Sequence, residues 1–266
     1  MALAQGRLAA APEADELLPI ARSVAARAGA ILREHFDAPA RGVRSKSNPS
    51  DLVSAADVAA EGEIRELLRR SRPGDGMLGE EGGETPSRSG LRWVVDPLDG
   101  TWNFLHRIPH WSVSVACEDA RGPLVGVVLD PLRDECFSAA RGLGATLNGE
   151  PLSGSEVTDL ELATLGGEFS AHTEAEAEAV RSLVSGVGQV RNYGSAALDL
   201  AWAAAGRWDA VYHGRFPSDW DVAAGALLCR EAGLSFERLE GLDGAQPRLL
   251  VAAPAIAAPL RALIEA

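Results

Sequence analysis

WVVDPLDGTWNF, residues Trp93–Phe104, runs three strand-forming residues into Asp96, meets Pro97, and presents a second acid, Asp99, before Gly100 and Thr101. Trp93, Val94 and Val95 read as a buried strand that sets Asp96 at its carboxyl end, where α/β proteins commonly place their sites. Pro97 is expected to stop the strand, so that Asp96 and Asp99 project from a turn towards one point. Gly100 permits close backbone approach, and Thr101 can open a helix whose free N–H groups favour an anion. Carboxylates beside an anion-binding helix start make physical sense when hard cations lie between them. Taken alone, DxxDGT also describes a capped strand-to-helix turn with solvated acids. A phosphatase that phosphorylates its own aspartate needs DxDGT, and Pro97 stands where that nucleophile would be, which removes that reading.

Working outward, residues 13–36 carry Leu17, Ile20, Ala21, Val24, Ala28, Ile31, Leu32 and Phe36 at three- and four-residue spacing, the stripe of an amphipathic helix. Pro39, Gly42 and RSKSNPSD mark an exposed loop. A second helix fits residues 55–70, with Ile64, Leu67 and Leu68 on its buried face; SRPGDG ends it and MLGEEGGE follows. Beyond the acidic turn, WSVSVAC, LVGVVLD and ECFSAAR read as strands. PLSGSEVTDLE, polar and turn-rich, is the expected boundary between an α+β first part, residues 1–150, and an α/β second part, residues 151–266. In the second part LATLGGEFS, GQVRNYG and WDAVYHG read as strands, and TEAEAEAVRSLVS, SAALDLAWAAAG and DWDVAAGALLCREAG as helices.

The net charge of −13 argues against nucleic acid or an anionic membrane surface as a partner. It also means that a negative substrate needs a local cation. Cys117, Cys136 and Cys229 are odd in number and lack CxxC spacing, so they read as reduced core thiols rather than disulfides or zinc ligands. The N-terminus lacks a basic segment followed by an apolar one, and no apolar run reaches the roughly 18–20 residues of a membrane span. A soluble cytoplasmic protein is expected.

Two more acidic stretches complete the picture. LGEEGG places Glu80 and Glu81 after a short apolar approach, and SDWDVAAG places Asp219 and Asp221 in the first turn of a helix, where acids usually serve the helix dipole. GEE, DPLDGT and WDVAAG, in that order with strands leading in, resemble the inositol monophosphatase family of magnesium-dependent, lithium-sensitive phosphatases. The resemblance extends upstream to KSNPSDLVSAAD and takes in GSAALDLAWAAAGRWDAVY, covering nearly the whole chain from about Glu13.

That resemblance implies the family's layered α-β-α-β-α sandwich, with the site between the two parts, and commonly a homodimer. It assigns one metal to Glu80, Asp96 and the carbonyl of Leu98, and a second to Asp96, Asp99 and Asp221. The ions are two Mg²⁺, with a third and weaker one described near Glu80; the oxygen-only ligands suit magnesium. The implied reaction is in-line attack on phosphorus by a metal-bound water that Thr101 and Asp57 orient or deprotonate, with Glu80 close by. Lys46, on a mobile loop in the family, is a supporting candidate. Backbone N–H groups of Gly100 and Thr101 would hold phosphate oxygens, and Gly194, Ser195 and Ala196 would meet the substrate's alcohol half. Glu80, Leu98, Asp99 and Asp221 complete the implied substrate contacts.

The pattern departs from the family at His213, which occupies the place where inositol-specific members carry a glutamate; Arg215 is an outside candidate for the same contact. The loop that follows is about one residue longer. Myo-inositol 1-phosphate is therefore the first expected substrate among small phosphorylated metabolites, with histidinol phosphate, fructose 1,6-bisphosphate and 3′-phosphoadenosine 5′-phosphate as rivals on the same chemistry. A non-catalytic binding protein on this scaffold would be marked by loss of a metal acid, and Glu80, Asp96, Asp99 and Asp221 are all present.

Overall fold

The computed structural model describes residues 13–36, 44–45, 52–53 and 55–265. In chain order the elements begin with α1 (Ala14–Phe36), the paired short strands β1 (Arg44–Ser45) and β2 (Leu52–Val53), and α2 (Ala55–Ser71). There follow β3 (Gly76–Gly79), β4 (Gly83–Thr85), β5 (Arg92–Asp99), α3 (Thr101–Leu105), β6 (Ser112–Asp119), β7 (Gly122–Asp130), β8 (Glu135–Ala140), β9 (Gly144–Leu147) and β10 (Glu150–Pro151). The chain continues through β11 (Thr164–Glu168), α4 (Glu174–Gly186), β12 (Gln189–Arg191), α5 (Ala196–Ala204), β13 (Ala210–His213) and α6 (Asp219–Glu231). It closes with β14 (Ser235–Leu239), β15 (Arg248–Ala252) and α7 (Pro254–Glu265).

An eight-stranded sheet has the order β10-β9-β8-β7-β6-β5-β3-β4, antiparallel except where β3 runs parallel to β5. A five-stranded mixed sheet has the order β12-β11-β13-β15-β14. Helices α1 and α2 pack on each other, and α1 covers β6, β7 and β8. On the other face of that sheet lie α5 and α6, which also meet strands of the smaller sheet, while α7 packs against α4 and β15. The result is a mixed α+β fold in five layers, α-β-α-β-α.

Alternation along β5 and its neighbours explains the continuous apolar runs. Trp93 and Val95 enter the core beneath α1 and α2, whereas Val94 enters the core shared with α5 and α6. A sheet covered on both faces must be apolar on both. Layer spacing depends on small residues: a Cβ at Gly126 of β7 would lie 2.9 Å from Ala224 Cα of α6. Cys117 and Cys229 are buried and Cys136 is half-buried, all three free thiols.

Pro97 does not stop β5. The strand runs through it to Asp99, with a register shift against β6 between the pairs Asp96–Ser114 and Asp99–Ser112. Three residues of β5 advance where β6 advances two, so the extra residue forms a bulge. A bulge tolerates proline because the ladder is interrupted there.

Candidate active site

Asp96 and Asp99 flank the bulge, and Asp221 arrives from the first turn of α6; their carboxylates lie within 4.8 Å of one another. Asp96 and Asp99 are buried. Asp219, two residues before Asp221, is exposed. The dipole role expected of a first-turn acid is therefore shared: Asp221 Oδ2 accepts the N–H of Ser218 at 2.9 Å while its carboxylate also joins the cluster.

Burial, together with the charges of Glu80, Asp221 and Asp99, pushes Asp96 well above the usual carboxylate range. Burial and Asp99 push Asp221 up to about 7. Asp99 is raised by burial and pulled back by its donors. These donors are the hydroxyls of Ser195 and Ser112 (the latter at 3.3 Å) and the N–H groups of Ala197 at 2.9 Å and Ala196 at 3.2 Å, at the start of α5. Three mutually repelling acids with oxygen donors only are a poor arrangement for an empty protein and a good one for hard divalent cations.

Thr101 stands beside the cluster. Its hydroxyl lies 3.1 Å from the Leu98 carbonyl and 3.3 Å from Oδ1 of Asp57, which is fully buried at the start of α2. One proton serves two acceptors, so the hydroxyl can donate to Asp57 while its oxygen accepts from a water. Gly100 has φ 90°, and a Cβ there would lie 3.1 Å from the His110 carbonyl, so the turn requires glycine twice over. Glu80 is in the turn immediately after β3, half-buried and within hydrogen-bond reach of Asp96. Lys46 lies outside the described residues.

Gly194, Ser195 and Ala196 border a cavity of about 330 Å³ that also touches Asp99, Glu168, Asp199 and His213. Arg215 lines the same cavity. Ser195 and the N–H of Ala196 already serve Asp99. Nε2 of His213 lies 3.6 Å from Oδ2 of Asp199. Burial holds His213 down to about 4, so its imidazole is uncharged at neutral pH, and burial with the Asp99 charge raises Asp199 well above the usual carboxylate range. Among the described residues, His213 Nε2 and Asp199 Oδ1 are buried without hydrogen-bond partners.

The His213 environment sets a sign for stability. Its folded value lies below the unfolded one, near 6.5, so wild type loses stability relative to His213→Gln as pH falls from about 6.5 towards 4. The expected relative loss is about 2 kcal/mol by pH 5, read from paired thermal melts in EDTA. Parallel curves at every pH would contradict it.

Several positioning residues carry no motif. Glu61 accepts the N–H groups of Glu81 and Gly82, each at 2.8 Å, and so fixes the chain just after Glu80. It lies four residues beyond Asp57 and four before Arg65, whose Nε it accepts at 2.7 Å; that i, i+4 ladder was its available signal. The Asn103 amide donates to the carbonyls of His110 at 2.7 Å and Tyr193 at 2.6 Å, tying α3 to the turn before α5. Nothing local in the sequence marks it.

The model of the inositol monophosphatase family matches residues 13–265. The inositol-1-monophosphatase of Rhizobium meliloti (strain 1021) is 47% identical over 197 residues, covering 71% of this chain and 73% of its own. The Nus factor SuhB of Escherichia coli (strain K12) is 42% identical over 224 residues, covering 82% and 83%. The crystal structure of the extragenic suppressor protein SuhB from Bartonella henselae has a TM-score of 0.87 at 34% identity, covering 94% of this chain and 98% of that one. The match of sequence along almost all the described chain, and of fold with it, means that this chain belongs to the inositol monophosphatase family of phosphatases.

Proposed function

We propose that the protein is a magnesium-dependent phosphomonoesterase acting on a small polyol phosphate, with myo-inositol 1-phosphate first. The observation that carries this reading is the convergence of Asp96, Asp99 and Asp221 within 4.8 Å, next to a cavity of about 330 Å³. Their oxygen-only donor set and mutual repulsion fit Mg²⁺. Glu80, Asp96 and the Leu98 carbonyl would hold one ion, and Asp96, Asp99 and Asp221 a second, with a weaker third near Glu80. When bound, magnesium held by these residues would supply positive charge to offset the phosphate, acidify a water and stabilise the departing oxygen.

The chain's own residues supply orientation and proton handling. Thr101 Oγ1 accepts from the attacking water and donates towards Asp57, while Glu80 stays near the same water. N–H groups of Gly100 and Thr101 would hold phosphate oxygens. The turn Gly194–Ala196, with the unpartnered His213 Nε2, meets hydroxyls of the alcohol half; a neutral imidazole accepts or donates there without demanding a charged substrate. Lys46 is kept as a supporting residue, and a cytoplasmic homodimer divided near residue 150 completes the proposal.

Thr101→Val keeps the shape and removes the hydroxyl. We expect kcat to fall by about 10²-fold with KM little changed, the pattern of lost proton handling. The deciding experiment is magnesium-dependent phosphate release from myo-inositol 1-phosphate, histidinol phosphate, fructose 1,6-bisphosphate and 3′-phosphoadenosine 5′-phosphate. One strongly preferred substrate names the alcohol half, and activity that survives EDTA sinks the reading. A second, non-catalytic role is favoured by one finding, the 42% identity to a Nus factor. A partner that binds an inactive Asp99→Asn protein as well as wild type would establish it.

A further inference from the structure

A cavity of about 470 Å³ opens where the end of α2 meets the β3–β4 hairpin, lined by none of the acids of the candidate site. Its floor is apolar and buried, formed by Leu68, Met77 and Trp93. Arg65, Arg69, Arg72 and Arg88 line it, on a chain whose net charge is −13. The volume is that of a small-molecule site.

The one acid in the lining, Asp75, is committed to the wall. It accepts Nε of Arg72 at 2.9 Å, the Ser89 hydroxyl at 2.7 Å and the Trp93 indole N–H at 3.0 Å. Arg65 and Arg69 use Nε and Nη2, Arg72 uses Nε and Nη1, and Arg88 uses Nη2 on the Pro73 carbonyl at 2.9 Å. Each therefore keeps at least one guanidinium nitrogen without a hydrogen bond among the described residues. No acid pairs with Arg88 among them. Planar guanidinium groups suit phosphate and carboxylate, and they also lie flat on an aromatic body.

We propose that this cavity binds a small organic anion, its phosphate or carboxylate held by the arginines and its flat apolar body resting on Leu68, Met77 and Trp93. The wall leads towards the acids. Arg65 holds Glu61, and Glu61 holds the N–H groups of Glu81 and Gly82, the residues that follow Glu80. An anion that draws Arg65 away loosens this clamp and slows turnover, a consequence that rests on the phosphatase reading proposed above.

Titration calorimetry on the full chain in EDTA tests the binding, because without metal the clustered acids repel anions. The probes are naphthalene-1-carboxylate, naphthalene-1-phosphonate and inorganic phosphate. The naphthyl anions should bind one-to-one, more tightly than inorganic phosphate, and the tighter of the two names the head group. Arg69 and Arg88 are exposed, so the double variant Arg69→Ala/Arg88→Ala keeps the fold, as its melting temperature will verify, and should bind at least about tenfold more weakly. Arg88→Glu should weaken binding further. No binding, or undiminished binding by both variants, overturns the site. With magnesium, naphthalene-1-carboxylate should slow phosphate release by wild type and not by the double variant; binding without that difference overturns the coupling. If no substrate turns over, the calorimetric result still stands by itself.

Discussion

Asp99→Asn lowers magnesium-dependent phosphate release by on the order of 10³-fold, equivalent to about 4 kcal/mol of transition-state stabilisation. Two losses combine. The cluster gives up one anionic oxygen donor, and with it attraction for a divalent cation. The side chain also changes from an acceptor on both atoms to an acceptor on one, although four groups donate to it: the hydroxyls of Ser195 and Ser112 and the N–H groups of Ala196 and Ala197. An amide N–H then faces a donor at the start of α5. Unfolding stability should therefore fall as well, by about 1–2 kcal/mol, the usual worth of a lost helix cap. Steady-state kinetics and thermal melts measure the two effects separately. A variant that turns over at the wild-type rate would remove Asp99 from the chemistry.

Asp96→Asn should cost comparable activity yet stabilise the metal-free protein. Asp96 has the Leu98 N–H as a donor at 2.8 Å, and it is buried against Glu80, Asp221 and Asp99. Relieving an uncompensated buried charge is worth about 2–3 kcal/mol, or about 5–10 °C in Tm for a chain of this size, at pH 8 in EDTA. The pH dependence has a definite sign. Because the folded value of Asp96 lies above the unfolded one, the folded wild type holds its proton more tightly. Wild type therefore regains stability as pH falls, and its gap to the variant narrows. Saturating magnesium should close the gap from the other side by stabilising wild type alone. Melts at pH 8 and pH 5, each with EDTA and with magnesium, provide the test. Equal Tm values in EDTA at pH 8 would show that the carboxylates do not repel one another there.

The opposite stability signs of these two variants show which level of structure sets each property. That Asp96, Asp99, Asp221 and Glu80 belong together was legible in the order GEE, DPLDGT, WDVAAG. The α1 stripe and the runs of β5 to β8 were legible too, because a helix face and a buried strand each leave a local period. The β14–β15 pair and α7 carry no motif that joins them to the site. Pro97 misleads when read locally: a proline that should end a strand sits in a bulge, since β6 alongside absorbs the extra residue. Whether an aspartate is favoured or strained depends on what surrounds it. The start of α5 supplies donors to Asp99 from a segment far along the chain, whereas among the described residues the backbone donor to Asp96 is the local Leu98 N–H. The same holds for the His213–Asp199 contact, the Glu61 clamp and the four arginines around one cavity. The amino-acid sequence by itself determined which acids this protein has and the periodic elements that carry them. Only the tertiary structure decided their charges and partners, because desolvation and hydrogen bonding across layers depend on distances that no local pattern encodes.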